Sequence, residues 1–258
     1  MRNLSSTAPH FAERRIIVMG ATSGLGRALA ERFLMAGWRI GAAGRNTAAL
    51  QALRALAPGR VVTAQIDICA IDAPSRLAGL IEELGEVDIY LHCSGILKES
   101  DSLDLDAQTQ TVATNAEGFA RMVGAAFEYF RTTGRRGRIV AISSIAGFRG
   151  LGDLPAYSAS KAFDQAYLEA LRQRADALHL PLHIVDIRPG WTRTPLLDAS
   201  RRYLFEMKAD RVADLIYRAT LHAKRTATIG LRWRLLTLLE RLTPAPIWQR
   251  LHLPLWRP

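Results

Sequence analysis

Between Arg14 and about Ile229 the chain alternates short β-rich runs with longer amphipathic stretches, and few architectures accept that pattern. A strand lying parallel to its predecessor needs a crossover, and a helix laid on the sheet provides one. The alternation therefore predicts an α/β chain: a doubly wound parallel sheet of about seven strands with helices on both faces. Strands are expected at Ile16 to Met19, Arg39 to Ala43, Val61 to Ile66, Val87 to His92, Arg138 to Ile142, His183 to Ile187 and Thr226 to Ile229. Helices are expected at Leu25 to Ala36, Thr47 to Leu56, Pro74 to Leu84, Ala107 to Thr132, Ala156 to Leu178 and Lys208 to Ala223, where apolar residues recur three and four apart.

No repeat, low-complexity tract or linker divides the chain, so one domain is expected over residues 1–230, followed by an extension over residues 231–258. With 258 residues, 49% of them hydrophobic, the chain can bury one sizeable core. Its charge is less ordinary. Lys and Arg, almost all Arg, number 34 against 24 acids, a net +10 that favours anionic partners such as a phosphorylated cofactor, an acidic lipid surface or nucleic acid. The run Arg135-Arg136-Gly137-Arg138 sits in a short turn with no accompanying nucleic-acid-binding motif, so nucleic acid is not the expected partner. Cys69 and Cys93 form no zinc or disulfide spacing, and residues 1–15 hold no apolar stretch of signal-peptide length, so a cytoplasmic setting is expected. The histidines are scattered, and Pro181 breaks the helical spacing between His179 and His183; no metal site is expected.

Directly after the first strand come Gly20-Ala21-Thr22-Ser23-Gly24-Leu25-Gly26. Glycines let a backbone turn sharply and approach a pyrophosphate, while the helix that follows offers unpaired N–H groups and its positive dipole end. A ligand-free turn could use the same glycines, but a strand before and a helix after favour phosphate binding. The second strand ends in Ala43-Gly44-Arg45-Asn46, where a dinucleotide site selects its ribose. No acid stands there to accept from ribose hydroxyls, and Arg45 can fork onto a 2′-phosphate, so NADP(H) is expected ahead of NAD(H).

Further on, Tyr157 and Lys161 lie four apart on an expected helix, which puts an ammonium one turn from a phenol. Such a cation favours the phenolate and brings proton transfer within reach. Ser144, at the end of the fifth strand, can donate to an oxygen on which charge develops. Singly, these are a routine surface pair and a turn residue.

Together, the G-x-x-x-G-x-G loop and a Ser followed thirteen residues later by Tyr-x-x-x-Lys resemble the short-chain dehydrogenases/reductases, Rossmann-type oxidoreductases, over about Ile16 to Ile229. The resemblance implies hydride transfer between a nicotinamide cofactor and a carbonyl or alcohol substrate. Tyr157 would be the acid/base, with Ser144 polarising the substrate oxygen, Lys161 holding the ribose and tuning the phenol, and Asn115 supporting a water-linked proton relay. It implies cofactor contacts from Gly20, Thr22, Ser23, Gly24, Leu25 and Gly26, from Arg45, Asn46, Asp67, Ile68, Ser94 and Gly95, and from Tyr157, Lys161, Pro189, Gly190, Thr192 and Thr194. A homo-dimer or homo-tetramer is also expected. The chain departs from the family at Met19, where threonine is usual, and at His92-Cys93-Ser94-Gly95, in place of Asn-Asn-Ala-Gly. The alternative is a catalytically silent NADP-binding regulator, against which the intact Ser144, Tyr157 and Lys161 count.

Substrate choice rests on Thr194 to Lys208, where Leu196 to Phe205 with Arg201 and Arg202 reads as a lid with a basic edge, and on the extension. The extension carries Trp233, Trp248, Trp256, leucines and five arginines, with Glu240 as its one acid, and arginines interrupt any run long enough to span a bilayer. The extension is similar to the Trp, Leu and Arg-rich tails of family members that reduce lipid-linked keto-sugars, a resemblance that implies a reductase of a membrane- or lipid-linked substrate, and Trp and Arg beside leucines suit peripheral contact at a bilayer's headgroup boundary; a subunit-packing arm suits them too, and the commonness of oligomers favours it.

Overall fold

The computed structural model describes residues 14–98, 103–222, 225–251 and the backbone of 256–257. The first fifteen residues apart from 14 and 15, the end of the expected helix at Ala223, and extension residues 252–255 and 258 lie outside the described residues. Seven strands form one sheet: β1 (Arg15–Met19), β2 (Arg39–Gly44), β3 (Val61–Gln65), β4 (Ile89–His92), β5 (Gly137–Ile142), β6 (Leu182–Pro189) and, passing over three two-residue strands, β10 (Thr226–Ile229). Their order is β10-β6-β5-β4-β1-β2-β3, and every pairing is parallel. These are the seven expected strands, with ends shifted by two residues at most.

The sheet is covered on both faces, which explains why apolar residues dominate its central strands rather than alternating with polar ones. Along β1, Ile16 and Val18 enter one core while Ile17 and Met19 enter the other. The first core receives Leu29 and Phe33 of α1 (Gly24–Met35), Leu53 of α2 (Thr47–Leu56) and Ile216 of α7 (Ala209–Leu221). The second receives Leu77 of α3 (Ala73–Leu84), Phe127 of α5 (Phe119–Thr133) and Leu168 of α6 (Pro155–Ala177).

One helix departs from expectation. The stretch read as a single helix from Ala107 to Thr132 is α4 (Leu105–Val112), a wide π-turn over Ala113–Gly118, and then α5. The widened turn follows two local demands: Asn115 is turned inward to bond the backbone beyond β4, and Gly118 packs so closely on Ile68 that a Cβ would come within 2.9 Å of its side chain. Apolar periodicity carries no mark of one extra residue in a turn.

β1 has β2 on one side and β4 on the other, so the crossovers leave it in opposite directions and open a crevice beyond the carboxyl ends of these strands. Short pairings build the far side of this crevice: β7 (Thr192–Arg193) with β9 (Met207–Lys208), and β8 (Arg202–Tyr203) with β11 (Trp256–Arg257). After β10 come α8 (Leu231–Leu242) and α9 (Ala245–Trp248).

Candidate active site

A cavity of about 860 Å³ occupies the crevice. Its inner wall is the loop from β1 into α1. Gly20 and Gly24 hold φ of +91° and +53°, a region glycine enters without strain, and a Cβ on Gly26 would lie 2.0 Å from the Gly20 carbonyl oxygen. The loop is tied down by Gly20 and Ala21, whose N–H groups both donate to Ala43 O at 2.8 and 2.9 Å. At the start of α1, Ser23 makes no side-chain capping bond, so the first-turn N–H groups face the cavity without a side-chain acceptor from it.

The edges of this wall are polar and exposed. Arg45 lines the cavity at the end of β2, and Asp67 lines it after β3, holding its loop through a bond from the Cys69 N–H at 3.0 Å. Ser94 packs against Gly20, whose Cβ would fall 2.8 Å from the Ser94 nitrogen. His92, just before, is wholly buried with Nδ1 3.0 Å from the Tyr90 hydroxyl, and burial pushes its imidazole down to about 3; it is a neutral core residue.

The catalytic candidates come from three elements. Ser144 follows β5 and caps a short 3-10 turn (Ile145–Gly147), its Oγ accepting from the Ala146 N–H at 3.1 Å. That bond uses an oxygen lone pair and leaves the hydroxyl hydrogen available to another acceptor. Tyr157 stands in the first turn of α6, and Lys161 Nζ lies 5.9 Å from the centre of its ring. Lys161 is 5% exposed, and its ammonium donates to Asp164 Oδ2 at 2.8 Å and Ile142 O at 3.3 Å, leaving one of three donors uncommitted. Burial by itself would lower the lysine pKa; Asp164, Tyr157 and Asp186 outweigh it and hold it above the usual value. Burial raises the wholly enclosed Asp164 to about 6 against the pull of Lys161, and its Oδ1 has no hydrogen-bond partner among the described residues. Beyond it, Asp186 accepts from Ser143 Oγ and pairs with Arg188.

Asn115 does not line the cavity. It is 1% exposed, accepts from the Ile96 N–H at 2.8 Å, and donates to Ile96 O at 2.8 Å and Ser160 Oγ at 3.3 Å. It still flanks the site: a Cβ on Gly95 would sit 3.3 Å from Asn115 Oδ1 and 3.7 Å from Lys161 Nζ.

Large side chains form the outer wall. Trp233 of α8 lies against Gly190, where a Cβ would be 2.2 Å from the indole, and it meets Phe205 edge-on; Trp191 packs on Tyr203. Arg149 donates to Thr243 O at 2.7 Å and Glu240 O at 3.4 Å, and Trp248 Nε1 donates to Gly150 O at 2.9 Å. These bonds fold the extension over the loop that carries Ser144. Glu240 lines the cavity half-buried, with no hydrogen-bond partner for Oε2 among the described residues and its carboxyl pushed up to about 7 by burial.

Of the residues expected at the site, all line this one cavity except Asn115 and Asn46, whose Oδ1 instead caps α2 by accepting from the Ala49 N–H at 3.0 Å. Sequence reasoning missed Asp164, the roles of Trp233 and Glu240 in the outer wall, and Arg149. Only Asp164 carried a local signal, its i,i+3 spacing from Lys161.

Comparison with known proteins agrees with this fold. The model of the short chain dehydrogenase family matches residues 14–203. An uncharacterized oxidoreductase of Myxococcus xanthus is 31% identical over 243 residues, 91% of this chain and 94% of its own. A sulfoacetaldehyde reductase of Chromohalobacter salexigens is 30% identical over 215 residues, 80% of this chain and 81% of its own. The solved structure of a short chain dehydrogenase of Burkholderia cenocepacia in complex with NADP superposes with a TM-score of 0.80, covering 94% of this chain and 98% of that one at 21% identity. The chain belongs to the short-chain dehydrogenase family, and it is an oxidoreductase of that family.

Proposed function

We propose that the protein transfers hydride between NADP(H) and a carbonyl or alcohol substrate, with Tyr157 as the proton donor and acceptor. One observation carries the reading: Ser144, Tyr157 and the buried Lys161 converge on a cavity whose inner wall is a glycine loop too close-packed to accept side chains. The same loop is the fit test for a dinucleotide. Its glycines admit close backbone approach, the α1 N-terminus lacks a side-chain cap, and Asp67, Ile68, Ser94 and Gly95 continue the wall where an adenosine and ribose would lie.

When bound, the nicotinamide supplies or accepts the hydride. The chain's own groups do the rest. Ser144 donates its free hydroxyl hydrogen to the substrate oxygen, and in reduction Tyr157 passes a proton to that oxygen. Lys161, anchored by Asp164 and Ile142 O, keeps its charge beside the phenol and has one donor left for the cofactor ribose. Asn115 supports the proton relay from behind by fixing the Ile96 backbone next to Gly95 and Lys161. Thr192, Thr194, Pro189 and Gly190 close the cavity from the β6 side.

The preference for NADP(H) rests on Arg45 and on the absence of an acid at the end of β2; the NADP-bound structural neighbour agrees with it. Leu97, Leu151, Leu204, Trp233 and Leu236 give the outer cavity an apolar lining, which supports a substrate with a sizeable apolar portion. Two free thiols support a reducing, cytoplasmic setting, and homo-oligomerisation is part of the same reading.

Tyr157→Phe should still bind NADPH and lose about two to four orders of magnitude in kcat in a screen of ketones, aldehydes and acyl thioesters. Near-wild-type turnover would end the assignment. Arg45→Ala should narrow the ratio of NADH to NADPH dissociation constants about ten-fold, the size of one lost charge-assisted contact. An unchanged ratio removes the argument from Arg45.

A further inference from the structure

We propose that α8 seats the protein on an anionic lipid bilayer, with its leucine face in the headgroup boundary. The helix is inverted relative to an ordinary surface helix. Thr237 and the half-buried Glu240 turn inward beside Trp233, while Leu231, Leu235, Leu238, Leu239 and Leu242 are 72, 58, 54, 62 and 71% exposed. At the turn of an α-helix these five leucines fall within an arc of about 100°, opposite the face that lines the cavity. Burying such a stripe is the largest gain the helix leaves unrealised, and nothing among the described residues covers it.

Charge selects the occupant. Arg232 borders the stripe on one side, and Arg234 and Arg241 border it on the other, all three exposed even as they contact Phe205, Thr228 O and Phe148. The only acid of the helix, Glu240, faces the other way. A two-fold pairing of leucine stripes would set arginine borders against arginine borders with no carboxylate between them. An anionic lipid surface satisfies both features, taking the leucines among its acyl chains and the guanidinium groups at its phosphates. No described helix is long and apolar enough to cross a membrane, so the contact is peripheral. Since the inner face of α8 forms part of the cavity wall, docking places that wall at the lipid surface.

The test is flotation of the full chain with extruded vesicles of phosphatidylcholine alone and of phosphatidylcholine with about 30% anionic phosphatidylglycerol, which gives the surface a negative potential. The wild type should float with the anionic vesicles, weakly with the neutral ones, and less at high salt. Leu235→Gln combined with Leu239→Gln should cut the partition coefficient about ten-fold or more while keeping the wild-type circular dichroism and NADPH affinity. Absence of wild-type flotation overturns the proposal, as does flotation that the double variant leaves unchanged. A dimer in sedimentation velocity that the double variant dissolves, without vesicle binding, assigns the face to a second copy instead.

Discussion

The two walls of the cavity are made of different material. On the inner side, backbone meets backbone: Gly26 against the Gly20 carbonyl, Gly20 against the Ser94 nitrogen, both loops anchored at the ends of central strands. On the opposite side the wall is Trp233, Tyr203, Phe205 and Leu236, carried by the segment around the short strands and by α8, whose C-terminal end Arg149 holds through Glu240 O and Thr243 O, with Trp248 of α9 bonded to Gly150 O just beyond. A backbone wall suits a ligand part that never varies, because no substitution can reshape it without moving the sheet. A side-chain wall carried by elements outside the central sheet can be recut for a new substrate and leaves the inner wall alone.

The comparison is broken most directly at Gly26. A methyl group there would meet a carbonyl oxygen that has nowhere to go, since Gly20 is itself pinned to Ala43 O and packed on Ser94. Gly26→Ala should cost about 3 kcal/mol or more of stability and abolish measurable NADPH binding. Chemical denaturation and a cofactor titration read both. If the variant unfolds and binds like the wild type, the inner wall has slack and the contrast between walls fails.

The same contrast governs what could be read from the sequence. Parallel strands covered on both sides must be largely apolar, so β1 and β5 announced themselves, and the glycine loop did so because close backbone approach leaves only one residue type. Asn46 also had a readable local explanation, an N-cap before Thr47, although the resemblance pointed to the cofactor. Asp164 was harder. On a helix an aspartate three residues beyond a lysine resembles any surface pair until packing removes it from water, and here both partners are buried. The outer wall was illegible for a different reason. Trp233 acts by lying on Gly190, and Arg149 by reaching Thr243, contacts between segments remote in sequence that no periodicity records. Composition flagged the extension as apolar and basic, but which face each residue took depended on the docking of α8.

A smaller effect sharpens the comparison from the side-chain wall. Glu240 has a folded pKa of about 7 against an ordinary 4.5, raised by burial with only partial relief from Arg149. Between those two values the folded chain therefore binds more protons at this site than the unfolded chain does. The contribution of Glu240 to stability is accordingly most favourable below pH 4.5 and is lost as pH rises through about 7, beyond which the folded state carries a poorly solvated carboxylate. Glu240→Gln keeps the shape and removes the charge. It should stabilise the protein by about 1 kcal/mol at pH 8, discounted for the water that still reaches this half-buried group, and leave stability near pH 4 unchanged. Paired thermal melts at the two pH values measure the difference. Equal gains at both would mean that the side-chain wall tolerates the carboxylate as readily as the neutral acid. A gain confined to high pH would show that α8 holds Glu240 against the cavity in a place its charge opposes, with the bonds from Arg149 and Trp248 supplying the restraint.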